Sequence, residues 1–262
     1  MEHYTGFREI SQKEIEDYYA GKIFDDIYIN QYLKTDNGAL LRVTDDGFKT
    51  LKYEIPTIKP RNKEQKMAFD LLEDDSIPIK ALMGIAGGGK TYLALTHGIH
   101  KLKNHKDIKR IMIIRQPEPV GKDIGYLSGN KDEKLAAWFK PITDNLEGGW
   151  QEFERRKANG EFIIDIPAFM QGRSIDNCFI IVDEAQLLTK EQVVMLGTRV
   201  GENSQIVFSG DYKQTLVDRY KGNKNGLVQM VEYFKGDKEF GCVTFSKSER
   251  SGVAGKFARM GF

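Results

Sequence analysis

The stretch Gly84-Ile85-Ala86-Gly87-Gly88-Gly89-Lys90-Thr91 decides the predicted fold of this 262-residue chain. Its spacing, a glycine, four residues and then glycine, lysine and threonine, is that of a phosphate-binding loop, or P-loop. The apolar run Ile77–Met83 precedes it and a helical pattern, Lys90–Leu102, follows it. A strand that leads through such a loop into a helix is the context the motif requires, because the glycine backbone N–H groups and the helix N-terminus both attract a phosphate.

Two residues of this loop have distinct predicted roles. We expect Lys90 to reach the β- and γ-phosphates of ATP, and the Thr91 hydroxyl to ligate Mg²⁺. The alternative is a chance glycine turn, and the strand and helix around the motif argue against it. The predicted nucleotide-binding residues are Gln65, Gly84, Ile85, Ala86, Gly87, Gly88, Gly89, Lys90, Thr91 and Tyr92.

Two carboxylates, Asp183 and Glu184, follow a second apolar strand, Cys178–Val182. We predict that Asp183 holds Mg²⁺, directly or through water, and that Glu184 is the general base that polarises the attacking water. A solvated acidic turn after a core strand is the alternative reading. The P-loop upstream makes it the weaker of the two.

Two glutamines are further candidates. Gln214 follows the strand Gln205–Ser209 in the pattern Gly-Asp-x-x-Gln, where it can sense the γ-phosphate or orient the water, although Gly-Asp is also common as a plain turn. Gln65 precedes the P-loop, and its amide offers one donor and one acceptor, as adenine does. Without other evidence a surface glutamine is the favoured reading of Gln65.

After Pro60, the chain alternates apolar strands with helices. Strands that are apolar throughout are typical of a parallel sheet covered on both faces, and helices between them indicate right-handed crossovers. We predict an α/β fold with a doubly wound, mainly parallel sheet and with ligands at the carboxyl ends of its strands. The predicted strands are Ile77–Met83, Arg110–Arg115, Phe162–Ile166, Cys178–Val182, Gln205–Ser209 and Gly241–Phe245, and the helices are Asn62–Leu72, Lys90–Leu102, Lys190–Val200 and Gly226–Phe234.

Residues 1–58 are predicted to form a small α+β appendage ahead of a core at residues 59–262, with the division near Pro56–Pro60. Ser11–Tyr19 predicts a helix, since Ser11 and Glu14 have the spacing of a capping box. The runs Ile27–Leu33, Ala39–Thr44 and Phe48–Glu54 predict a small antiparallel meander, because Asp-Asn-Gly and Asp-Asp-Gly turns separate them.

Composition restricts the class of protein. Lys+Arg 39 against Asp+Glu 38 gives a net charge of +1, so any nucleic-acid groove must be local. Cys178 and Cys242 are the two cysteines and are expected to be buried thiols in a reducing compartment. The N-terminus does not read as a signal peptide, and no run approaches the roughly 18 apolar residues that span a bilayer. We therefore expect a cytoplasmic protein without a membrane partner.

Basic residues are candidates for two kinds of contact. A cation on the γ-phosphoryl group could come from Arg115, Arg173, Arg199 or Arg250, although most arginines lie on the surface. The loop Arg115–Gly129 is rich in glycine, basic and aromatic residues, which suits a single nucleic-acid strand. Basic runs such as Lys101–Arg110 and Arg155–Lys157 more often form solvated helix faces, and the alternative reading of Trp138, Phe139 and Trp150 is that they belong to the core.

Taken in order along residues 27–260, these motifs resemble the PhoH-like ATPases. The chain is most similar to the ATPase half of the subgroup in which a PIN nuclease domain precedes PhoH, notably at Lys59–Gln65 and Pro119–Gly125. The motifs that carry the resemblance are Gln65, Gly84–Thr91, Arg115, Gly125–Gly129, Gln171–Ser174, Asp183–Gln186, Thr198–Gly201, Gly210-Asp211 and Glu249–Ser251.

The resemblance implies a RecA-like core, ATP rather than GTP with Gln65 as the adenine reader, ATP-driven unwinding or remodelling of RNA, and assembly into a ring. Three departures qualify it. Residues 1–58 lack an acidic metal cluster, so we do not expect nuclease activity. The loop has Gly88 where the family commonly has threonine, which adds backbone freedom. The stretch Thr215–Gly222 departs from the family's turn.

One core per chain has a consequence for assembly. An ATPase site that needs an external arginine must take it from another subunit, and a heterologous contact that closes gives a ring. We predict a homo-oligomeric ring, favouring a hexamer, in which Arg250 or Arg199 reaches a neighbour's γ-phosphate. The expected partner is single-stranded nucleic acid, RNA more than DNA.

Two other functions stay open from sequence. One is a nucleotide-gated assembly protein that binds nucleic acid and turns over slowly. The other is a small-molecule kinase that uses the same loop. The Asp-Glu-Ala-Gln and Gly-Asp-x-x-Gln strand ends argue against the kinase.

Overall fold

A computed structural model describes residues 3–52, 55–116, 139–170, 172, 174–214 and 224–249. Its strands are β1 (Phe7–Ile10), β2 (Tyr32–Thr35), β3 (Leu40–Thr44), β4 (Gly47–Thr50), β5 (Ile79–Gly84), β6 (Arg110–Arg115), β7 (Phe162–Asp165), β8 (Cys178–Asp183), β9 (Gln205–Gly210) and β10 (Phe240–Phe245). Its helices are α1 (Gln12–Tyr19), α2 (Lys63–Glu73), α3 (Lys90–Asn104), α4 (Gly149–Ala158), α5 (Lys190–Gly197) and α6 (Gly226–Phe234).

The larger sheet has six strands in the order β10-β5-β9-β8-β6-β7, and every pairing in it is parallel. Alternate residues of each strand enter two separate hydrophobic cores. Leu82, for example, packs on the face covered by α2 and α3, while its neighbour Met83 packs on the face covered by α5 and α6. The predicted α/β fold with a doubly wound parallel sheet is confirmed.

Helix boundaries follow the capping residues. The side chain of Asn62 accepts a hydrogen bond from the Gln65 backbone N–H and begins α2 as predicted. Helix α5 ends earlier than expected, at Gly197 rather than Val200. Val200 instead forms a parallel bridge with Ile175, which draws the last three predicted residues out of the helix.

The predicted small antiparallel meander is confirmed in β2-β3-β4, where both pairings are antiparallel. The sequence did not predict β1, which pairs with β2 in parallel and makes the whole four-stranded sheet mixed. The predicted strand Ile27–Leu33 is wrong before Tyr32, because Asn30 adopts a left-handed φ of 63° that breaks the extended backbone. The capping box of α1, formed by Ser11 and Glu14, is confirmed.

The N-terminal residues pack on β10, the edge strand of the larger sheet. The Asn30 side chain donates hydrogen bonds to the carbonyls of Lys238 and Phe240, both at 2.9 Å. A Cβ on Gly6 would lie 1.9 Å from the Cys242 carbonyl oxygen, so only glycine permits this approach. The N-terminal residues therefore cover the β10 edge of the larger sheet. The boundary between residues 58 and 59 stays a prediction.

Two sequence expectations about the chain's environment can be compared with the structure. Cys178 and Cys242 are buried and free, as predicted. Burial raises the pKa of each thiol to about 12, so neither is a reactive thiolate. Within the described residues, the helices are too short or too polar to cross a membrane.

Candidate nucleotide-binding site

Three adjacent strands, β5, β9 and β8, end at the same edge of the larger sheet. Their carboxyl ends bring together the P-loop, Asp183-Glu184 and Asp211 around a cavity of about 300 Å³. This is where a parallel sheet offers a ligand site. The lining residues are Ala86, Gly87, Gly89, Lys90, Thr91, Tyr92, Asn145, Asp183, Glu184, Ser209, Gly210, Asp211, Gln214 and Glu249.

Two glycines of the loop are required by geometry. Gly84 has a φ of 107°, and a Cβ there would lie 2.0 Å from the Phe245 carbonyl oxygen on β10. A Cβ built on Gly88 would lie 2.8 Å from the Phe245 side chain. The backbone of the loop therefore runs close to β10, and Gly88 fits this local crowding.

Lys90 begins α3 and is buried, with 9% of its surface exposed. Its Nζ donates to the carbonyl oxygens of Gly84 at 2.6 Å and Ile85 at 2.9 Å. The ammonium group is thus held inside the turn of the loop and beside the cavity. It is the position from which a P-loop lysine contacts phosphate oxygens.

Asp183 joins two predicted parts of the site. Its Oδ1 accepts from the Thr91 hydroxyl at 2.7 Å, and its Oδ2 accepts from Arg115 Nη1 at 3.0 Å. Burial and the neighbouring Glu184 raise the pKa of Asp183 to about 6. A hydroxyl and a carboxylate oxygen in contact are ligands that Mg²⁺ prefers, so the residues present fit that ion.

Glu184 is fixed by a glutamine to which the sequence gave no role. Gln186 Nε2 donates to Glu184 Oε2 at 2.6 Å, and Gln186 Oε1 accepts from the Asp211 backbone N–H at 3.1 Å. Asp211 Oδ2 in turn accepts from the Ala86 N–H of the P-loop at 3.1 Å. The acidic strand end is thereby tied to the loop through β9. The sequence signal for Gln186 was its place two residues after a predicted general base.

Other predicted site residues are placed as follows. Tyr92 and Gln214 line the cavity, and the Gln214 backbone N–H donates to the Asp211 carbonyl at 2.9 Å. Gln65 lies against the loop, with its Nε2 3.4 Å from the Gly88 carbonyl oxygen. Its Oε1 accepts from the Arg61 N–H at 2.9 Å. The adenine-reading role of Gln65 stays a prediction.

The candidate arginines occupy different places. Arg115 lies in the site, where Nη2 is 3.6 Å from Glu184 as well. Arg199 follows the end of α5 and lies near the amino end of β8, whereas the cavity lies at the carboxyl ends of the strands. Its carbonyl oxygen accepts a hydrogen bond from the Ile175 N–H, just before β8 begins. Arg199 is therefore remote from the cavity of its own chain. Arg173 and Arg250 lie outside the described residues, as does most of the loop Arg115–Gly129.

Most basic and aromatic residues of the weaker predictions have structural contacts. Lys101 is buried and pairs with Asp75, and Arg155 and Arg156 pair with Glu152. Phe139 is buried in the core, whereas Trp150 is 42% exposed and stacks on Phe153. Trp138 is outside the described residues. Two of the three residues in the run Arg155–Lys157 are therefore paired with an acid on the same helix.

The chain was compared with known protein families. Residues 57–260, more than half of the chain, match the family model described as "PhoH-like protein". The chain belongs to the PhoH-like family. Protein PhoH2 of Bacillus subtilis (strain 168) is 44% identical over 203 residues, 75% of this chain and 46% of that protein. Protein PhoH of Escherichia coli (strain K12) is 35% identical over 196 residues, 73% of this chain and 54% of that protein.

This PhoH-like chain spans about half the length of the curated relatives it matches. Among solved structures, the Pif1 helicase from Candida albicans aligns over 78% of this chain and 43% of that one, with a TM-score of 0.40 and 14% identity; so remote a likeness adds nothing to the assignment. In this PhoH-like chain, the P-loop and Asp183-Glu184 form a candidate nucleotide-binding site. The resemblance to the PIN–PhoH subgroup stays a prediction.

Proposed function

We propose that this PhoH-like chain is an ATP-driven motor that unwinds or remodels RNA. The observation that carries the ATP-hydrolysis part of the proposal is the contact between Thr91 and Asp183, with Glu184 beside it at the mouth of the P-loop. It unites the three chemical parts that ATP hydrolysis needs, namely a phosphate cradle, a metal site and a general base. ATP is the substrate and Mg²⁺ the metal cofactor.

Phosphate and metal binding would rest on few residues. The backbone N–H groups from Gly87 to Thr91 and the Lys90 ammonium would hold the phosphates. Thr91 and Asp183 would hold Mg²⁺, which would offset the negative charge of the phosphates. Asp183 must be ionised for this role, and Arg115 Nη1 at 3.0 Å favours that state.

Glu184 would accept the proton of the attacking water. Its Oε2 is occupied by Gln186 at 2.6 Å, and its Oε1 faces Arg115 at 3.6 Å. Two anchors restrict the rotation of the carboxylate, and a positioned base is what general-base catalysis demands. Gln214, which also lines the cavity, is the candidate for orienting the water or sensing the γ-phosphate.

The proposed binding segment for single-stranded nucleic acid, called the track below, is the stretch of sequence that follows β6. Arg115 ends this strand inside the site, and the sequence that follows it, up to Gly129, is the proposed track. Its glycine, lysine and tyrosine content suits a single strand held by phosphate contacts and stacking. A track that begins next to Arg115 could couple strand movement to the state of Asp183 and Glu184. RNA rather than DNA rests on the family resemblance.

The test is steady-state ATP hydrolysis with single-stranded RNA, single-stranded DNA or neither. We compare the wild type with Lys90→Ala, Glu184→Gln and the matched control Lys103→Ala, since Lys103 is exposed on the far end of the same helix. Loss of the general base should lower turnover by roughly 10²–10⁴-fold. Lys103→Ala should behave as wild type, and RNA should raise turnover in both active proteins.

Each result has a definite consequence. If hydrolysis needs Lys90 and Glu184 but ignores nucleic acid, the motor proposal fails and a nucleotide-gated assembly protein replaces it. If DNA but not RNA stimulates turnover, the track is DNA. If Glu184→Gln hydrolyses ATP at the wild-type rate, the assignment of the general base is wrong.

A further inference from the structure

Three of the four histidines of the chain lie in one cluster away from the nucleotide site. His97 and His100 lie on α3, and His105 caps its C-terminus. Glu73, the last residue of α2, faces them. His100 is ten residues from Lys90 along α3, which is ~15 Å along the helix axis. The cluster is therefore separate from the P-loop that starts the same helix.

The spacing of the side-chain atoms fits metal ligation. One ligand atom from each of Glu73, His100 and His105 lies within 4.8 Å of the other two. His100 Nδ1 is 3.4 Å from Glu73 Oε2. Imidazole nitrogens and carboxylate oxygens bind a tetrahedral zinc ion at about 2.0–2.2 Å, so two ligands of one ion stand roughly 3.4 Å apart.

Several buried polar atoms point to the same place. Glu73 Oε1, His97 Nε2 and His100 Nδ1 are buried, and none has a hydrogen-bond partner among the residues that the structure describes. His97 is fully buried, and its Nε2 is 3.8 Å from Glu73 Oε1. Buried polar atoms are nearly always paired in folded proteins. Three such atoms on adjoining side chains indicate a ligand that completes their contacts.

The surroundings orient the imidazoles for this role. His97 Nδ1 is 2.8 Å from the Leu93 carbonyl oxygen, and an N–H there leaves the Nε2 lone pair directed at Glu73. His105 Nδ1 is 3.0 Å from Asp75 Oδ2. A carboxylate behind a histidine ligand fixes its tautomer and raises its basicity. Asp75 also pairs with Lys101, so its charge is already engaged.

We propose that Glu73, His100 and His105 form a binding site for a divalent transition-metal ion of the zinc class. Two imidazoles and a carboxylate are ligands that this class of ion selects. His97 approaches the same carboxylate from the buried side. The side chains of Glu73, His100 and His105 are 20%, 18% and 28% exposed, which leaves an entry path from solvent. The ion would join the end of α2 to the end of α3.

The experiment uses the full chain without an affinity tag, stripped of metal by a chelator. Zn²⁺ is titrated against a chromophoric chelator for the wild type, His100→Asn, His105→Asn and Glu73→Gln. The matched control is His3→Asn, because His3 is the remaining histidine and contacts Tyr212 outside the cluster. We expect one ion per chain, weakened roughly 10–100-fold or more by each cluster substitution and unchanged by the control.

A second readout protects the test against unfolding of a variant. Zn²⁺ should raise the Tm of the wild type and of His3→Asn, since a ligand that binds the folded state stabilises it. Glu73→Gln preserves side-chain shape and should fold while losing that rise. The proposal is overturned if the wild type binds no stoichiometric zinc, or if His3→Asn weakens binding as much as the cluster variants do.

Discussion

At the scale of single residues, the P-loop shows how local chemistry is fixed by neighbouring strands. Gly84 is confined by a φ of 107° and by the Phe245 carbonyl, while Lys90 is held by two carbonyls of its own loop. The buried Asp183 carboxylate accepts hydrogen bonds from the Thr91 hydroxyl on one oxygen and from Arg115 on the other. Each contact either shapes the phosphate cradle or sets the charge of the carboxylate beside it.

Gln186 gives the sharpest prediction at this scale. Gln186→Ala removes one of the two anchors of Glu184 and the acceptor of the Asp211 N–H. A catalytic group misplaced by about 1 Å can cost ~10²-fold in rate, so we expect turnover of ATP to fall roughly 10–100-fold while ATP affinity stays near that of the wild type. Steady-state hydrolysis and equilibrium binding of a fluorescent ATP analogue measure the two effects.

Gln192→Ala is the matched control for that experiment. Gln192 caps α5 by accepting from the Thr189 N–H at 3.0 Å and does not line the cavity. Its loss should leave turnover unchanged. Wild-type turnover in Gln186→Ala, with the fold intact by circular dichroism, would show that Glu184 does not need this anchor.

At the scale of secondary-structure elements, a buried ion pair joins the small N-terminal sheet to the core. Arg42 on β3 is 2% exposed and contacts Asp70 on α2 at 3.2 Å, and it also pairs with Asp74. The Tyr32 hydroxyl donates to Asp70 at 3.1 Å. The N-terminal residues are thus held by polar contacts between their small sheet and α2, as well as by their packing on β10.

Arg42→Ala is predicted to destabilise the whole chain. It leaves the buried Asp70 carboxylate without its cation, and breaking a buried pair from one side typically costs about 3–5 kcal/mol. Chemical denaturation measures this as a lower free energy of unfolding. Lys34→Ala is the control, since Lys34 pairs with Glu9 on the exposed surface and should cost less than about 1 kcal/mol. Equal losses in both variants would contradict the structural role of Arg42.

At the scale of the whole molecule, the open question is how the site is completed. The described part of the nucleotide site contains Arg115, but that arginine is engaged by Asp183 and Glu184. Arg199 lies near the amino end of β8, away from the nucleotide site of its own chain. This placement supports the proposal that a further cation comes from a neighbouring subunit in a ring.

Mixing two inactive variants tests that proposal. Lys90→Ala keeps the arginines but lacks the loop lysine, and Arg250→Ala has the reverse defect. If Arg250 acts in a neighbour's site, mixed oligomers contain some complete sites, and we expect partial recovery of ATP hydrolysis. The measurement is turnover as a function of mixing ratio, with assembly followed by light scattering in the presence of ATP.

The control mixture pairs Lys90→Ala with Glu184→Gln, whose defects lie in one and the same site and should not complement. Mixed oligomers of Lys90→Ala and Arg250→Ala that remain inactive would rule out Arg250 as the cation supplied in trans. Repeating the mixture with Arg199→Ala then tests the second candidate. A monomer with full specific activity would contradict the ring altogether.

The sequence by itself determined the parallel sheet, the P-loop and the carboxylates at the end of β8. These features rest on short-range patterns, because uniformly apolar strands, glycine spacing and helix caps are each written within a dozen residues. The same logic failed where local signals were weak. β1 has only four residues, with Arg8 and Glu9 at its centre, and its parallel partner β2 begins 22 residues after β1 ends.

Only the tertiary structure decided which distant side chains share a site. Arg115 and Asp183 are 68 residues apart and meet because β6 and β8 are neighbours in the sheet. Gln186 reaches the Asp211 N–H because β8 and β9 are adjacent. Glu73 faces three histidines because α2 packs against α3. Local patterns specify elements, whereas strand order and helix packing set these distances.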